Sequence, residues 1–293
     1  MAPLMVPASP DRSERGPHLL GGGRGTAVST ISTLLFFALL AALFLFAPGS
    51  AEVRRTFFNL EDMRQALVGD PDRGIFSVAA GLVLNIEMFL IAEGLILVLA
   101  LVIAVIRQLH LPALVPLRLL AVAYTDFFRG VPLILVIYGL GFGLPALNID
   151  VLSTQPPVVY GVAALVLSYA AYVSEVYRAG IDSVHPSQAA AARSLGLTEW
   201  QALRFVVIPQ AVRRVVPPLL NDFISLQKDT ALVAVLGVIE ANRAAGIYSS
   251  TVFNYSGYTV AALLFLVLTV PMARFTDFLI ARDRRQRHGE VAA

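Results

Sequence analysis

Asn85, Glu87 and Glu93, the pair Glu175 and Arg178, and the neighbours Lys228 and Asp229 all lie within or beside long apolar runs. An unpaired charge at the centre of a bilayer costs about 2.5–3.5 kcal/mol or more, so such groups face a cavity or a partner. Three kinds of chemistry are open to them: holding a polar solute, carrying a proton, or pairing with one another. Glu87 and Glu93 are six residues apart, about 600° of rotation at 100° per helical residue, and so point to different faces. Asn85 and Glu87 lie nearer the outer end of their run and could reach a solute. The alternative places Glu87 at the membrane interface and Glu93 in a structural pair. Glu175 and Arg178 stand at i, i+3 and read as a structural ion pair. Lys228 and Asp229 are adjacent, so on a helix each meets a different neighbour or a solute. The candidate substrate path is therefore Asn85, Glu87, Lys228 and Asp229.

Other chemistry is excluded by what the chain lacks. It has no cysteine, and His18, His110, His185 and His288 are scattered, so no metal ligand set is expected. No nucleophile–base set and no paired carboxylates on a shared helix face are present, which argues against an intramembrane enzyme and leaves no catalytic residues to name. Lys228 is the single lysine. A P-loop needs glycines followed by Lys-Ser/Thr, and nothing fits. This chain is expected to bind no cofactor. The net charge of +2 implies no nucleic-acid partner.

The elements that carry these residues are apolar. Of 293 residues, 57% are hydrophobic and 14% charged, and the mean hydropathy is +0.73. A span needs about 20 apolar residues. Six candidates run near Ala27–Ala47, Gly81–Ile106, Leu119–Leu144, Pro157–Tyr177, Val215–Ile239 and Tyr258–Ile280. The first is longer than the roughly 7–15 apolar residues of a signal peptide and reads as a retained helix, with a cleaved leader as the alternative. Pro217, Pro218, Asn221 and Asp222 interrupt the fifth. Gly139, Gly141 and Gly143 offer close helix packing, or else a gate hinge. With the N-terminus inside, 14 arginines fall in cytoplasmic segments and 5 outside, which orients the chain with both termini and the 178–214 loop cytoplasmic. Residues 48–78 then form a small solvated outer excursion whose acids balance its arginines.

The loop from Pro186 to Pro209 carries two helix signatures. Pro186 suits a first helical turn. Gln188 to Leu195 favours a helix, and Gly196 suits a left-handed C′ position. Thr198 and Gln201 fit a capping box, opening a second short helix expected to stop at Pro209. The alanine flank of the first helix would let another protein's backbone approach closely; the plain alternative is an alanine-rich surface loop.

Ala190-Ala191-Ala192, Gly196 and Val206-x-Ile208-Pro209 resemble, in spacing, the EAA loop of ABC importer permeases of the polar amino acid group. Ala190 stands where that family has glutamate, removing a carboxylate near a helix N-terminus worth about 0.3–1 kcal/mol. Arg129-Gly-Val-Pro132, Ala171-Tyr172-Val-Ser-Glu175-Val-Tyr-Arg178, Pro217-Pro218-Leu-Leu-Asn221 and Leu226-Gln-Lys228-Asp229-Thr230 follow the family's order. The resemblance covers about residues 80–280. It implies an all-α, polytopic type I importer permease of about six transmembrane helices in a bacterial cell membrane, importing a polar amino acid. Ala190, Ala191, Ala192, Leu195, Gly196 and Leu197 would form the coupling interface with the ATPase. Implied partners are ABC ATPase subunits that use ATP and Mg, an extracytoplasmic solute-binding protein, and a second permease, identical or paralogous. Domains read as a 1–26 cytoplasmic tail, an extra helix at 27–47, the 48–78 segment, a 79–281 permease domain with its 186–209 loop, and a 282–293 cytoplasmic tail. The rival is a proton-coupled secondary transporter using Glu87 or Glu93, which has no need of such a loop.

Overall fold

The computed structural model describes residues 22–109 and 111–291, with side-chain exposure given from Val28 to Arg282. Arg12, Arg15, His18 and His110 lie outside the described residues. Among those described there is no strand, only an isolated bridge between Asp70 and Ile75. Two units, residues 1–55 and 56–293, are taken in turn.

In the first, α1 (Gly22–Phe46) is apolar on every side, and none of its Val28–Phe46 stretch is buried within the chain. A helix that is hydrophobic all round belongs in lipid or deep in a core. Its last carbonyls, which no helical N–H can reach, are satisfied from the start of α2 (Ser50–Phe57). The Ser50 hydroxyl donates to Leu45 O at 2.9 Å, and Arg54 donates to Phe44 O and Leu45 O at 3.3 and 3.2 Å.

The second unit opens with α3 (Leu60–Val68), capped by Asn59, whose carboxamide oxygen accepts from Glu61 N and Asp62 N. A 3-10 turn (Pro71–Arg73) leads to α4 (Val78–Gln108). Then follow α5 (Val115–Gly130), α6 (Leu133–Tyr138), a π turn (Gly139–Gly143), α7 (Leu144–Ala146), α8 (Asp150–Ser153) and α9 (Pro157–Asp182). The loop carries α10 (Pro186–Ser194) and α11 (Glu199–Ala202), a second π turn (Leu203–Val207) and then α12 (Ile208–Asp229). A 3-10 stretch (Thr230–Leu236), α13 (Ala241–Val252) and α14 (Ser256–Val291) complete it. Among the described residues four helices are long and apolar enough to cross a membrane, or up to six spans if each bent pair counts as one.

Three expectations need correction. The third span is not one helix: α5 and α6 meet at 109°. Pro132 forces its predecessor out of the helical region, and Val131 is extended at φ −95°, ψ 128°. The helix opened by Thr198 does not stop at Pro209. It runs on through the π turn into α12, with Val207 still helical at φ −78°, ψ −53°, and the wider π turn takes up the N–H that Pro209 lacks. Residues 48–78 are not wholly solvated. Ala66 and Ile75 are buried in a core with Ala241, Tyr248 and Val260. The Tyr248 hydroxyl donates to Asp62 Oδ1 at 2.7 Å, and Tyr255 N donates to Thr56 O at 2.8 Å.

The main core lies between α4 and α9, with Ala92, Ala100 and Ala170 fully buried among Met88, Ile96 and Leu165. Small residues at such contacts let helices approach closely in lipid, where apolar burial alone gives no preference for another helix. Gly81 is the extreme case: a Cβ there would stand 2.5 Å from the Ala241 backbone nitrogen. One turn on, Asn85 is fully buried. Its carboxamide oxygen accepts from Ala241 N at 3.1 Å, and its Nδ2 donates to Thr230 Oγ1 at 3.0 Å. Expected on the solute path, Asn85 is instead a staple between α4, the end of α12 and the start of α13.

Removing that staple leaves the buried Ala241 amide without a partner, at about 1–3 kcal/mol, while the Thr230 hydroxyl still donates to Gln227 O at 2.7 Å. Asn85→Leu is expected to lower the thermal unfolding midpoint of the detergent-solubilised chain clearly. Equal midpoints for wild type and Asn85→Leu would remove the staple.

Candidate functional site

The loop is built by local rules. His185 Nδ1 accepts from Ser187 N at 3.2 Å, and Pro186 takes the first helical position of α10. At the other end Gly196 N donates to Arg193 O at 2.9 Å and Leu197 N to Ala192 O at 3.3 Å, the paired bonds of a Schellman ending. Gly196 supplies its left-handed residue, at φ +90°. Thr198 Oγ1 accepts from Gln201 N at 3.2 Å while Gln201 Oε1 accepts from Thr198 N at 2.9 Å, which closes the capping box. Ala190, Ala191, Leu195 and Gly196 are exposed and Leu197 is half-buried. Ala192, expected at the coupling surface, is 6% exposed and faces inward, which leaves room for the tight turn above it. Leu195 is 86% and Trp200 64% exposed. The two large apolar side chains thus stand out from the turn as exposed apolar surface. Arg214 of α12 donates to Ser183 O and ties the loop's origin to that helix.

Beside the loop, the ends of α4, α5 and α9 are joined through Glu175. Its Oε2 accepts from Arg178 Nε and Nη2 at 3.1 and 2.8 Å, and its Oε1 is ion-paired with Arg107. Arg107 also donates to Thr125 Oγ1 on α5 at 3.3 Å, and Arg129 Nη1 stands 4.0 Å from Glu175 Oε1. Arg178 reaches on to Asp182 at 2.7 Å, which also accepts from Gln108 at 3.0 Å. The expected pair Glu175 and Arg178 is thus part of a network holding three helices.

A cavity of about 420 Å³ opens where α5 breaks. Its walls are the Phe128–Leu133 break, Ser168, Tyr169 and Tyr172 of α9, and Asp222, Ser225 and Asp229 of α12. The last three are spaced i, i+3, i+7 and so share one helix face. The Tyr169 hydroxyl donates to Asp229 Oδ2 at 2.7 Å. Ser168 is 2% exposed, and its Oγ has no hydrogen-bond partner; Asp222 Oδ2 is also buried without one. Both residues line the cavity, but these two oxygens are themselves buried in its wall. With the Arg129 guanidinium at the rim, the cavity offers acceptors for an ammonium group and a donor set for a carboxylate.

The expected path residues are not brought together. Asn85 is the staple already described. Glu87 is exposed at an apolar groove of about 610 Å³ between α4 and α9. Lys228 is exposed on α12, and Asp229 alone lines the polar cavity. Glu93 is half-buried toward Asp222. Ser168, Asp222 and Arg129 were missed as site residues. The periodic polar face of α12 could have pointed to Asp222, whereas a lone serine in an apolar helix gives no signal.

Residues 96–285 match the family described as "Binding-protein-dependent transport system inner membrane component". The chain is 36% identical over 168 residues to the "Probable glutamine ABC transporter permease protein GlnM" of Bacillus subtilis strain 168, across 57% of this chain and 76% of that protein. It is 34% identical over 189 residues to the "Glutamate/aspartate import permease protein GltK" of Escherichia coli O6:H1, across 63% and 81%. Among solved structures, one described as "Crystal structure of an amino acid ABC transporter with histidines" superposes with a TM-score of 0.64 at 32% identity, covering 70% of this chain and 93% of that one.

The Glu175 network carries its own test. Removing one partner of a partly buried ionic cluster strands the others, at a cost below the roughly 3–5 kcal/mol of a fully buried pair because Arg178 and Arg129 reach solvent. Glu175→Ala strands Arg107, whose side chain is 14% exposed. It should therefore lower the unfolding midpoint of the purified chain far more than Asp182→Ala, whose side chain is 49% exposed. Comparable midpoints for the two variants would demote Glu175 from its central place.

Proposed function

The chain belongs to the family of binding-protein-dependent transport system inner membrane components and is an amino-acid ABC transporter permease, and from that premise we propose that it passes a polar amino acid through the cavity beneath the α5 break. The observation that carries this reading is continuity. The helix that begins at Glu199 in the exposed loop runs unbroken through the π turn to Asp229, so exposed Trp200 and the cavity face of Asp222, Ser225 and Asp229 are parts of one rod. A push on Trp200 is delivered to the solute site.

In this reading ATP and Mg are bound by a separate ATPase that grips Ala190, Ala191, Leu195 and Gly196. A solute-binding protein delivers the amino acid on the opposite face, and a second permease, identical or paralogous, completes the path. The amino-acid permeases among its relatives support a polar amino acid as the solute. The loop and both termini lie in the cytoplasm of a bacterial cell. The arginine asymmetry supports that orientation. A proton-coupled carrier built on Glu87 or Glu93 is the reading it displaces, since such a carrier needs no protruding loop.

Gly196 separates these readings. A Cβ there meets nothing within 4 Å, so Gly196→Ala adds only the strain of a left-handed residue, about 1 kcal/mol. Gly196→Asp adds a charge to the docking surface as well. Co-purification of tagged permease with its ATPase, and uptake in cells, should both fall steeply for Gly196→Asp and mildly for Gly196→Ala, with membrane insertion unchanged. Normal uptake by Gly196→Asp would mean that the loop is not the coupling element.

Two further outcomes are expected. Uptake should persist when the proton gradient is collapsed at constant ATP; immediate arrest would favour the proton-coupled carrier. The chain has no cysteine, so single-cysteine labels are clean. In intact cells a membrane-impermeant thiol reagent should label Asp72→Cys and spare Ser187→Cys, and the reverse pattern would invert the orientation.

A further inference from the structure

A second cavity, of about 530 Å³, lies between the polar one and the loop, bounded by Glu175, Gly180, Ser183 and Arg214. The two cavities have only Arg129, Tyr172 and Asp222 as common walls. Asp222 is fixed in the middle of α12. The other two form a contact of their own: the Tyr172 hydroxyl donates to Arg129 O at 3.2 Å, and the Arg129 guanidinium sits over the Tyr172 ring, 5.9 Å from its centre.

Arg129 is held more loosely than the other arginines around Glu175. Arg178 binds that carboxylate through two nitrogens, and Arg107 is ion-paired directly, whereas Arg129 stands off at 4.0 Å with its side chain 45% exposed. Its backbone is also placed for movement. Arg129 is the next-to-last residue of α5, followed by Gly130 and then extended Val131 at the 109° bend. A Cβ on Gly130 would touch nothing within 4 Å, so nothing packs that side of the turn. With the Arg129 side chain 45% exposed, rotation about its side-chain bonds would carry the guanidinium away from the tyrosine ring.

We infer that the Arg129–Tyr172 pair is the partition that closes the polar cavity toward the loop, and that Glu175 holds Arg129 in the closed position. The opening stroke then breaks a cation–π contact and one hydrogen bond while leaving the Arg107–Glu175–Arg178 cluster intact, so the helices stay joined as the passage opens. The idea rests on the reading of the polar cavity as the solute's route, but its test does not use the solute.

Two reporter cysteines suffice. Ser225→Cys lies in the polar cavity and Ser183→Cys in the loop-side one. Each is introduced into the full chain assembled with its ATPase. It is labelled from the loop side of sealed vesicles, prepared in both orientations, with an uncharged, sugar-linked, membrane-impermeant methanethiosulfonate, so that loss of the arginine charge does not itself change the rate. Against the background chain, Arg129→Gln and Tyr172→Ala should each speed labelling of Ser225→Cys about tenfold, as expected when a gating contact is lost, and leave Ser183→Cys unchanged. Glu175→Gln should speed Ser225→Cys less than either. The inference is overturned if Ser225→Cys reacts at the background rate in both variants. It is equally overturned if Ser183→Cys accelerates in step, which would mean general loosening. Amino-acid protection of Ser225→Cys is scored separately. Accelerated labelling without protection would keep the partition and remove the cavity from the solute's route.

Discussion

In a bilayer every backbone N–H and C=O must find a partner inside the protein, so irregular backbone is tolerated only where protein or a water-filled cavity surrounds it. The break at Val131–Pro132 is this constraint made local. Pro132 cannot donate and Val131 cannot stay helical, so the chain turns through 109° between α5 and α6. The walls that surround the break are also the walls of the polar cavity, and they include the unpaired oxygens of Ser168 and Asp222. The hinge, the cavity and the position of Arg129 follow from one residue that cannot continue a helix.

In the proposed reading force reaches that chamber from outside the membrane, and the second half of the chain is continuous enough to transmit it. Helices transmit displacement along their axes; flexible joints absorb it. A proline at 209 threatens a joint, since a missing N–H frees a carbonyl one turn back. The wider π turn at Leu203–Val207 takes up the misfit and keeps the helix continuous. Pro217 and Pro218 lie within α12 without ending it. The joint is instead placed after the solute face. The 3-10 stretch Thr230–Leu236 and Gly237, at φ +83°, separate α12 from α13, and Asn85 anchors that joint to α4.

Much of this was legible in the residues. Apolar run length gave the spans, because lipid thickness fixes helix length. The Thr198–Gln201 box and the Gly196 ending were legible because capping is local chemistry, settled within a few residues. The long-range partners of polar groups were not. Asn85 reads as a path residue from its depth in a hydrophobic helix, and only the approach of Ala241 and Thr230, over 140 residues away in the chain, shows its oxygen and nitrogen already occupied. Glu175 and Arg178 announced themselves at i, i+3, but Arg107 joins them from α4 through tertiary packing that no spacing encodes. The course of the chain at Pro132 and Pro209 was misjudged in opposite directions. The same residue type breaks one helix and is absorbed by another: Pro132 follows an extended Val131, whereas Pro209, Pro217 and Pro218 lie within a helix that continues.

That distinction between local and tertiary causes also bears on Ala190, which stands where the resembling family has glutamate. A carboxylate gains from the helix dipole only in the first turn, and the effect fades beyond it. Ala190 is the fifth residue of α10, after Pro186, Ser187, Gln188 and Ala189, so the dipole offers little at that position. The fold of the loop does not need a charge there either. His185 caps its start, the Gly196–Arg193 and Leu197–Ala192 bonds close its first helix, and Thr198 with Gln201 opens the next. None of these bonds involves the side chain of residue 190. Glutamate at that place has work to do only across an interface, so its absence here alters what the docking partner meets and leaves the shape of the loop intact.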